Sequence, residues 1–435
     1  MANVVIVGAQ WGDEGKGKIV DMLADRADYI VRFQGGNNAG HTIVASGKQI
    51  VCHLIPSGIL YDDKVCVIGN GVVVDLDVMF DEIDMLISCG IMVNADKLRI
   101  SSRAAFILPF HRSIDITREK SKGVKKIGTT GRGVGPAYED RVARKAILIQ
   151  DLYEPGILIE KLREIVKEKR LLLEQATESS FDKNDFDADF IYERLIKHQE
   201  RLSPFVEKNI PKIINNAVKN KRQVLFEGAQ GSLLDVELGT YPYVTSSHTI
   251  ASHASSGTGV GPTIITDVIG VFKAYITRVG EGPFPSELLG LEGDSLRKIG
   301  HEYGATTGRP RRCGFLDLLA LKYACNINSF TGLAMTKIDV LNRFEKIGIV
   351  TAYKYKNSVV KDFYPDISFL SRCEPVYDYV DGWKKSLDNM KAFEELPVQL
   401  KTYIRRIEES TEVPITILSL GPERNQTLVR KAIFE

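Results

Sequence analysis

The chain has 435 residues and a formal net charge of +1 at pH 7, with 44% hydrophobic and 26% charged residues. These values are ordinary for a globular protein, and the near-neutral charge predicts neither a nucleic-acid partner nor an anionic-membrane partner. No apolar stretch approaches the ~20 residues of a membrane span, and the chain enters a predicted strand almost at once, so we expect neither a span nor a signal peptide. The six cysteines lack metal-like spacing, which favours reduced thiols in a cytoplasmic protein.

A glycine-rich segment, Gly12-Asp13-Glu14-Gly15-Lys16-Gly17-Lys18, lies between a predicted strand and a predicted helix. Val4 to Gly8 is an apolar, β-branched run, and apolar residues recur at helical spacing from Ile19 to Ala24. A turn that leads into a helix directs backbone N–H groups and a positive dipole at one point. The sequence therefore predicts a phosphate-binding turn.

This segment departs from a P-loop at one position, because Ile19 replaces the Ser or Thr whose hydroxyl would ligate magnesium. It also carries Asp13 and Glu14, whose carboxylates would repel phosphate unless they bind a metal or take a proton. We predict a loop that binds phosphate and takes part in chemistry. The alternative is an acidic surface turn.

Short strands then alternate with helices. Strands are predicted at 29–33, 65–68 and 98–101, and an amphipathic helix at 76–88. This alternation predicts an α/β fold with a large, mostly parallel central sheet, a P-loop-like first unit and flanking helical subdomains. Residues 157–220 have helical spacing and almost no glycine, so we interpret them as a helical cap within a single domain covering 1–435. Within that cap, residues 161–170 are predicted to be a solvated charged face, and residues 182–189 an acidic loop and not a metal site.

Several further loops carry groups suited to polar or anionic ligands. Residues 34–42 combine glycines and asparagines and end near His41, whose near-neutral pKa suits acid–base chemistry, although a structural histidine is the alternative. Residues 128–136 are rich in glycine and threonine, while residues 227–231 and 239–247 follow a predicted strand at 224–226.

Three arginines follow a predicted long strand, 267–277, and a short helix. Arg309, Arg311 and Arg312 occur within four residues, and Pro310 keeps them off a helix face. An anion-binding loop is the favoured interpretation, and a solvated basic loop is the alternative. Beyond them, a strand ends in Thr336-Lys337-Ile338-Asp339, a T-K-x-D pattern in which the aspartate can accept hydrogen bonds from the N–H groups of guanine.

Together these motifs resemble the adenylosuccinate synthetase family. They occur in the family's order and cover essentially the whole chain. Two departures are Phe315, where tryptophan is common, and Leu420, which replaces a small polar residue. The motifs are Gln10 to Lys18, Asn37 to Thr42, Gly128 to Pro136, Phe226 to Gly231, Thr306 to Arg312 and Thr336 to Asp339.

The resemblance implies that IMP, L-aspartate and GTP give adenylosuccinate, GDP and phosphate, the committed step from IMP toward AMP. GTP, as co-substrate, would phosphorylate the 6-oxygen of IMP, and aspartate would then displace that phosphate. One Mg²⁺ per subunit would be the cofactor. The resemblance also implies a cytoplasmic homodimer in which Arg144 reaches the partner's site.

The resemblance further implies residue roles. Asp13 would be the general base at N1 of hypoxanthine and a magnesium ligand, His41 the general acid, and the Gly40 carbonyl a second magnesium ligand. IMP would be bound by Asp13, Glu14, Gly15, Lys16, Asn38, Ala39, Gly40, His41, Thr130, Arg144, Gln230, Thr245 and Arg309. Aspartate would be bound by Ala305, Thr306, Thr307, Gly308, Arg309 and Arg311. GTP would be bound by Gly12, Asp13, Glu14, Gly15, Lys16, Gly17, Lys18, Gly40, His41, Thr42, Arg311, Lys337, Ile338, Asp339, Ser419, Leu420 and Gly421.

The motifs leave two alternative functions. A regulatory GTP-binding and GTP-hydrolysing protein would explain the T-K-x-D pattern, but it needs neither the arginine loop nor the glycine-asparagine loop. A related synthetase with a guanylate-type acceptor or a preference for ATP is the second alternative. Asp339 favours GTP over ATP, and Asp13 favours an acceptor with an N1 proton.

Overall fold

The computed structural model describes residues 2–38, 40–45, 48–123, 126–176, 181–304 and 308–434. Within these ranges, no helix combines the length and the apolar character that a membrane crossing requires. The α-helices are α1 (Lys16–Ala24), α2 (Leu76–Ser88), α3 (Pro109–Ser121), α4 (Val134–Val142), α5 (Pro155–Ala176), α6 (Ala188–Leu202), α7 (Ile210–Lys219), α8 (His253–Thr258), α9 (Leu291–Gly300), α10 (Leu318–Asn328), α11 (Ile367–Leu370) and α12 (Val398–Thr411). The first ten strands are β1 (Asn3–Gly8), β2 (Tyr29–Arg32), β3 (His41–Ala45), β4 (Lys48–Cys52), β5 (Val65–Ile68), β6 (Val73–Val74), β7 (Leu98–Ser101), β8 (Ala105–Phe106), β9 (Val206–Glu207) and β10 (Val224–Gly231). The remaining strands are β11 (Asp267–Lys273), β12 (Tyr275–Arg278), β13 (Arg312–Asp317), β14 (Gly332–Thr336), β15 (Lys346–Tyr355), β16 (Ser358–Val360), β17 (Glu374–Asp381), β18 (Ile415–Ser419) and β19 (Thr427–Val429).

The main sheet of the described chain has ten strands in the order β19-β18-β14-β11-β1-β10-β2-β5-β7-β9. All neighbours pair in parallel except β18 and β19. The predicted α/β class with a mostly parallel central sheet is confirmed. Parallel strands end at the same edge, so the loops that follow β1, β10, β11 and β14 meet there.

Strand β1 shows why its sequence is continuously apolar. It lies between β10 and β11, and every residue of it is buried. Val4 and Ile6 belong to the apolar cluster on one face, while Val5 and Val7 belong to the cluster on the other. A strand that is buried on both faces has no solvent-facing side, so its sequence is continuously apolar and does not alternate with polar residues.

The predicted single strand at 267–277 is wrong, because the structure has two strands there. β11 lies in the main sheet, whereas β12 pairs antiparallel with β13 in a second sheet that also contains β15, β16 and β17. The N–H of Ala274 still bonds to Thr336 O, and the next residue, Tyr275, already pairs with Phe315. Both halves are buried, so the apolar pattern could not reveal the change of sheet.

The helical cap contains α5, α6 and α7, but its predicted solvated face is wrong at one residue. Lys169 is buried, and its Nζ pairs with Asp140 of α4. The other carboxylate oxygen of Asp140 lies 2.9 Å from His111 Nε2 of α3. Packing against α3 and α4 therefore turns this lysine inward, where its charge is balanced. The division into one domain with a cap remains our prediction.

Candidate active site

A cleft of about 560 Å³ opens at the edge of the main sheet where β1 and β10 end. It brings together thirteen of the site residues that the sequence predicts, from segments more than three hundred residues apart. They are Gly12, Asp13, Gly15, Lys16, Gly17, Lys18, Asn38, Gly40, Thr130, Gln230, Thr245, Arg311 and Lys337.

The glycine-rich loop is braced from inside by Glu14. This side chain is fully buried, and its Oε1 accepts hydrogen bonds from the N–H of Gln10 at 3.1 Å and of Gly12 at 2.8 Å. Its Oε2 lies 2.6 Å from Lys16 Nζ. A Cβ at Gly231 would lie 2.4 Å from Oε1, so the packing around this carboxylate requires glycine. The Glu14 carboxylate is thus paired with Lys16 and does not line the cleft, so its charge need not repel a phosphate bound there.

Asp13 points the other way. Its side chain is 44% exposed at the cleft, and its Oδ2 accepts a hydrogen bond from Arg311 Nε at 2.7 Å. Arg311 in turn donates from Nη1 to Glu302 Oε2 at 2.6 Å. One carboxylate of the loop is thus structural, and the other is available for chemistry.

Among the described residues, four non-glycine residues of the predicted site have left-handed backbones, which such residues rarely adopt. The φ angles are 59° at Asp13, 64° at Arg144, 58° at Gln230 and 58° at Lys337. Such conformations cost free energy and cluster at functional sites. Gln230 also has a buried Oε1 without a hydrogen-bond partner in the described part of the chain. A ligand that offers an N–H or O–H donor would satisfy this oxygen.

Lys18 connects the phosphate loop to the predicted guanine side. Its Nζ donates to Ser419 Oγ at 2.7 Å and to the carbonyl of Gly421 at 2.8 Å. Burial lowers the pKa of Lys18 to about 8, although Asp339 and Glu423 oppose the shift. The ammonium thus holds the loop after β18 against α1.

Asp339 follows β14, in a short helical turn that begins at Ile338. Burial raises the pKa of Asp339, and the nearby Lys337 and Lys18 oppose this. Lys337 Nζ donates to the carbonyl of Gly300 at 3.0 Å, which fixes the lysine beside the cleft. Leu420, the departure from the family pattern, packs its side chain into the core and donates its N–H to Gln426 O.

The loop at 128–136 is held by two carboxylates that sequence reasoning missed. Glu119 Oε1 accepts from the N–H of Gly128, and Asp115 Oδ2 accepts from the N–H of Gly133 at 3.0 Å. Both acids lie on α3, so they looked like ordinary helix residues. Arg144 lies beyond this loop, just after α4, where it is exposed and does not line the cleft.

Part of the predicted site lies outside the described residues. Ala39, Ala305, Thr306 and Thr307 fall in the gaps of the described ranges. His41 and Thr42 begin β3, and their backbones pair with Cys52 and Val51, but their side chains are not described. Two residues that follow the gap at 305–307 are described: Gly308 has a φ of 63°, and Arg309 is exposed.

The residues of the cleft fit a magnesium ion. Asp13 supplies a carboxylate oxygen and Gly40 a carbonyl, which are the hard oxygen ligands that Mg²⁺ prefers. The described residues contain no group of three or more His, Cys, Asp or Glu side chains that could hold a metal. An ion here would therefore take its other ligands from water and substrate phosphates, as Mg²⁺ commonly does.

Comparisons with known proteins agree with this arrangement. The family model described as adenylosuccinate synthetase matches residues 5–428. A curated relative of that name from Syntrophobacter fumaroxidans is 51% identical over 434 residues, and one from Clostridium novyi is 49% identical over 429 residues. The alignment covers 100% of both chains in the first case and 99% of both in the second.

Solved structures extend the likeness to the fold. The fully ligated adenylosuccinate synthetase from Plasmodium falciparum superposes with a TM-score of 0.91 at 37% identity, covering 99% of this chain and 100% of that one. The cyanophage S-2L succinoaminodeoxyadenylate synthetase, bound to dGMP and dATP, has a TM-score of 0.62 at 19% identity and shares the fold alone. The chain therefore belongs to the adenylosuccinate synthetase family.

Proposed function

We propose that this chain joins IMP to L-aspartate at the expense of GTP, giving adenylosuccinate, GDP and phosphate. Membership of the family makes it a ligase that forms a C–N bond. The observation that carries the proposal is the cleft itself, in which the half-exposed Asp13 carboxylate, the phosphate loop and Arg311 converge.

The first step is phosphorylation of the 6-oxygen. Asp13 removes the proton from N1 of hypoxanthine, the electron pair moves to O6, and O6 attacks the γ-phosphorus of GTP as GDP leaves. General acid–base help of this kind contributes ~10²–10⁴-fold. His41 is the proposed acid that stabilises charge on the transferring group. In the second step the amino nitrogen of aspartate attacks C6, and phosphate departs.

The proposed binding roles follow the walls of the cleft. Thr130, Gln230, Thr245 and Asn38 line it, and we assign them to IMP. The orphaned Oε1 of Gln230 supports this assignment, because a buried acceptor without a donor is costly in the absence of a partner. The residues 305–309 and Arg311 are assigned to aspartate, and the turns at 337–339 and 419–421 to guanine.

Magnesium is assigned to Asp13 and Gly40, one ion per subunit. When bound, it would supply positive charge beside the phosphates during transfer. Arg311 already shares the Asp13 carboxylate at 2.7 Å, so the protein itself offers a second positive group at the same place.

A cytoplasmic homodimer is the proposed assembly. Arg144 is exposed, lies outside its own cleft and has a left-handed backbone. An exposed arginine held in a strained conformation suits a contact that brings Arg144 to the partner's IMP. The six cysteines are free, as expected in a reducing compartment.

The test is product formation with IMP, L-aspartate, GTP and Mg²⁺, each left out in turn. We expect adenylosuccinate and GDP only when all four are present. GDP formed at an equal rate without IMP and aspartate would instead show the regulatory GTPase that the T-K-x-D pattern allowed.

A further inference from the structure

A buried cluster lies directly behind Arg311. We call Lys273, Tyr275 and Glu302 the Glu302 cluster. The Glu302 carboxylate is fully buried, and its Oε1 lies 2.7 Å from Lys273 Nζ and also accepts from the Tyr275 hydroxyl. Its Oε2 accepts from Arg311 Nη1 at 2.6 Å. Three donors from three different strands or loops therefore converge on one carboxylate.

The charges in this region alternate. Burial alone would raise the pKa of Glu302, but Lys273 and Arg311 outweigh it and lower the pKa to about 2. Glu302 is thus ionised, and the order from the core to the cleft is Lys273⁺, Glu302⁻, Arg311⁺, Asp13⁻. An ion pair in this position is costly to bury and is stabilised only when its remaining hydrogen-bonding groups are satisfied, as they are here.

Glu302 and Arg311 also meet through the main chain. The N–H of Arg311 donates to Glu302 O at 2.9 Å, and Tyr303 pairs with Pro310 in an antiparallel bridge. Gly304 N–H then donates to Arg309 O at 2.8 Å. The main chain therefore holds Glu302 and Arg311 next to each other, on either side of the proposed aspartate-binding segment in the sequence.

We propose that Glu302 is a positioning residue for aspartate binding. It fixes the Arg311 guanidinium so that Nε points at Asp13 and the group faces the cleft. This inference rests on the proposed function, since it concerns the same reaction. Glu302 is not among the residues that line the cleft, and its side chain acts through Arg311.

The cluster sits at the point where the chain changes sheets. Lys273 ends β11 and Tyr275 begins β12, so the carboxylate is anchored to both sheets at once. Because that anchor is rigid, the Arg311 side chain needs little reorganisation when aspartate binds. Loss of the Glu302 carboxylate would leave the Arg311 side chain mobile. Aspartate binding would then be weaker, because ordering the side chain costs entropy.

The decisive variant is Glu302→Gln, which keeps the size of the side chain and removes its charge. We expect KM for aspartate to rise about tenfold or more, the factor that a hydrogen bond to a charged group is worth. KM for IMP should stay within about twofold, and kcat should change less than KM, because bound aspartate can draw Arg311 back into place. Asp317→Asn is the matched control, since Asp317 is also a fully buried carboxylate that accepts from a tyrosine hydroxyl, that of Tyr353 at 2.6 Å, but does not contact Arg311.

A second variant separates positioning from folding. Lys273→Met combined with Glu302→Gln removes both buried charges, so the core is no longer left with an unpaired ammonium. We expect KM for aspartate to stay raised in this double variant even where its thermal midpoint recovers. An unchanged KM for aspartate in Glu302→Gln, or its return to the wild-type value in the double variant, would overturn the inference. Neither result would touch the proposed function, which fails only if the wild-type protein makes no adenylosuccinate.

Discussion

Arg311 Nε lies 2.7 Å from Asp13 Oδ2, although the two residues are 298 positions apart in the chain. The arginine comes from the segment that we assign to aspartate, and the carboxylate from the loop that we assign to phosphate transfer. A single ion pair thus connects the two halves of the proposed reaction. Because Arg311 bonds to Oδ2, the other carboxylate oxygen of Asp13, Oδ1, is the one available to a substrate or a metal ion.

Asp13→Asn tests the base most cleanly. The amide keeps the size of the side chain and can still accept a hydrogen bond from Arg311, but it cannot take a proton. We expect turnover to fall by about 10²–10⁴-fold, the usual contribution of a general base. GTP binding, followed by titration with a fluorescent GTP analogue, should remain measurable. Turnover within a few fold of wild type would remove Asp13 from the mechanism.

Asp339→Asn tests the guanine assignment. The carboxylate of Asp339 is predicted to accept from the ring N–H and the 2-amino group, whereas an asparagine amide can donate to the 2-oxo group of xanthine. We expect kcat/KM for GTP to fall and the ratio of XTP to GTP to rise by about two orders of magnitude, as two lost charged hydrogen bonds imply. Equal discrimination in the variant and the wild type would exclude the turn at 337–339 as the base site.

The lowered pKa of Lys18 should make kcat/KM for GTP depend on pH. Its pKa is lowered to about 8, so the ammonium that holds Ser419 and Gly421 is charged below that pH and is lost as pH rises through it. We expect kcat/KM for GTP to decline above pH about 8. Lys18→Arg, which keeps its charge, should remove the decline. If kcat/KM for GTP declines above pH about 8 in Lys18→Arg as well, the decline does not come from Lys18.

If Arg144 serves the partner's site, mixing the inactive variants Asp13→Ala and Arg144→Ala should restore activity. Asp13→Ala lacks the base, and Arg144→Ala lacks the group offered to the partner, but a mixed dimer contains one site with both residues. Random mixing makes half of the dimers hybrid with one intact site each, so activity should recover to about one quarter of wild type. If mixing restores nothing while each variant stays folded, Arg144 does not serve a partner's site.

Several features of the fold could be read from the sequence because a local pattern determines them. Helix α2 and strand β7 have the predicted bounds, since amphipathic spacing and a short apolar run are visible in single segments. The loop after β1 is recognisable from its glycines, two of which, Gly12 and Gly15, have left-handed backbones with φ angles of 83° and 80°. The change of sheet at Ala274 and the burial of Lys169 depend on partners distant in sequence, so no local pattern shows them.

The same limit applies to the site. The glycine-rich, threonine-rich and basic segments at the cleft carry unusual local chemistry and were predicted as site segments. Glu302 and Glu119 support the site from behind, and Asp115 lines the cleft from a helix, but all three look like ordinary acids in the sequence. The opposite orientations of Asp13 and Glu14 could not be foreseen either. They follow from the left-handed backbone at Asp13 and from the N–H groups that surround the Glu14 carboxylate.

In the proposed reaction, the oxygen at C6 of IMP is phosphorylated and then leaves with the phosphate. The most direct test supplies IMP labelled with ¹⁸O at that position, together with GTP, aspartate and Mg²⁺, and measures the label in the released phosphate by mass spectrometry. We expect one ¹⁸O in each phosphate for each adenylosuccinate formed. Unlabelled phosphate would exclude the phosphorylated intermediate, because GTP would then have been hydrolysed by water without transfer to the 6-oxygen.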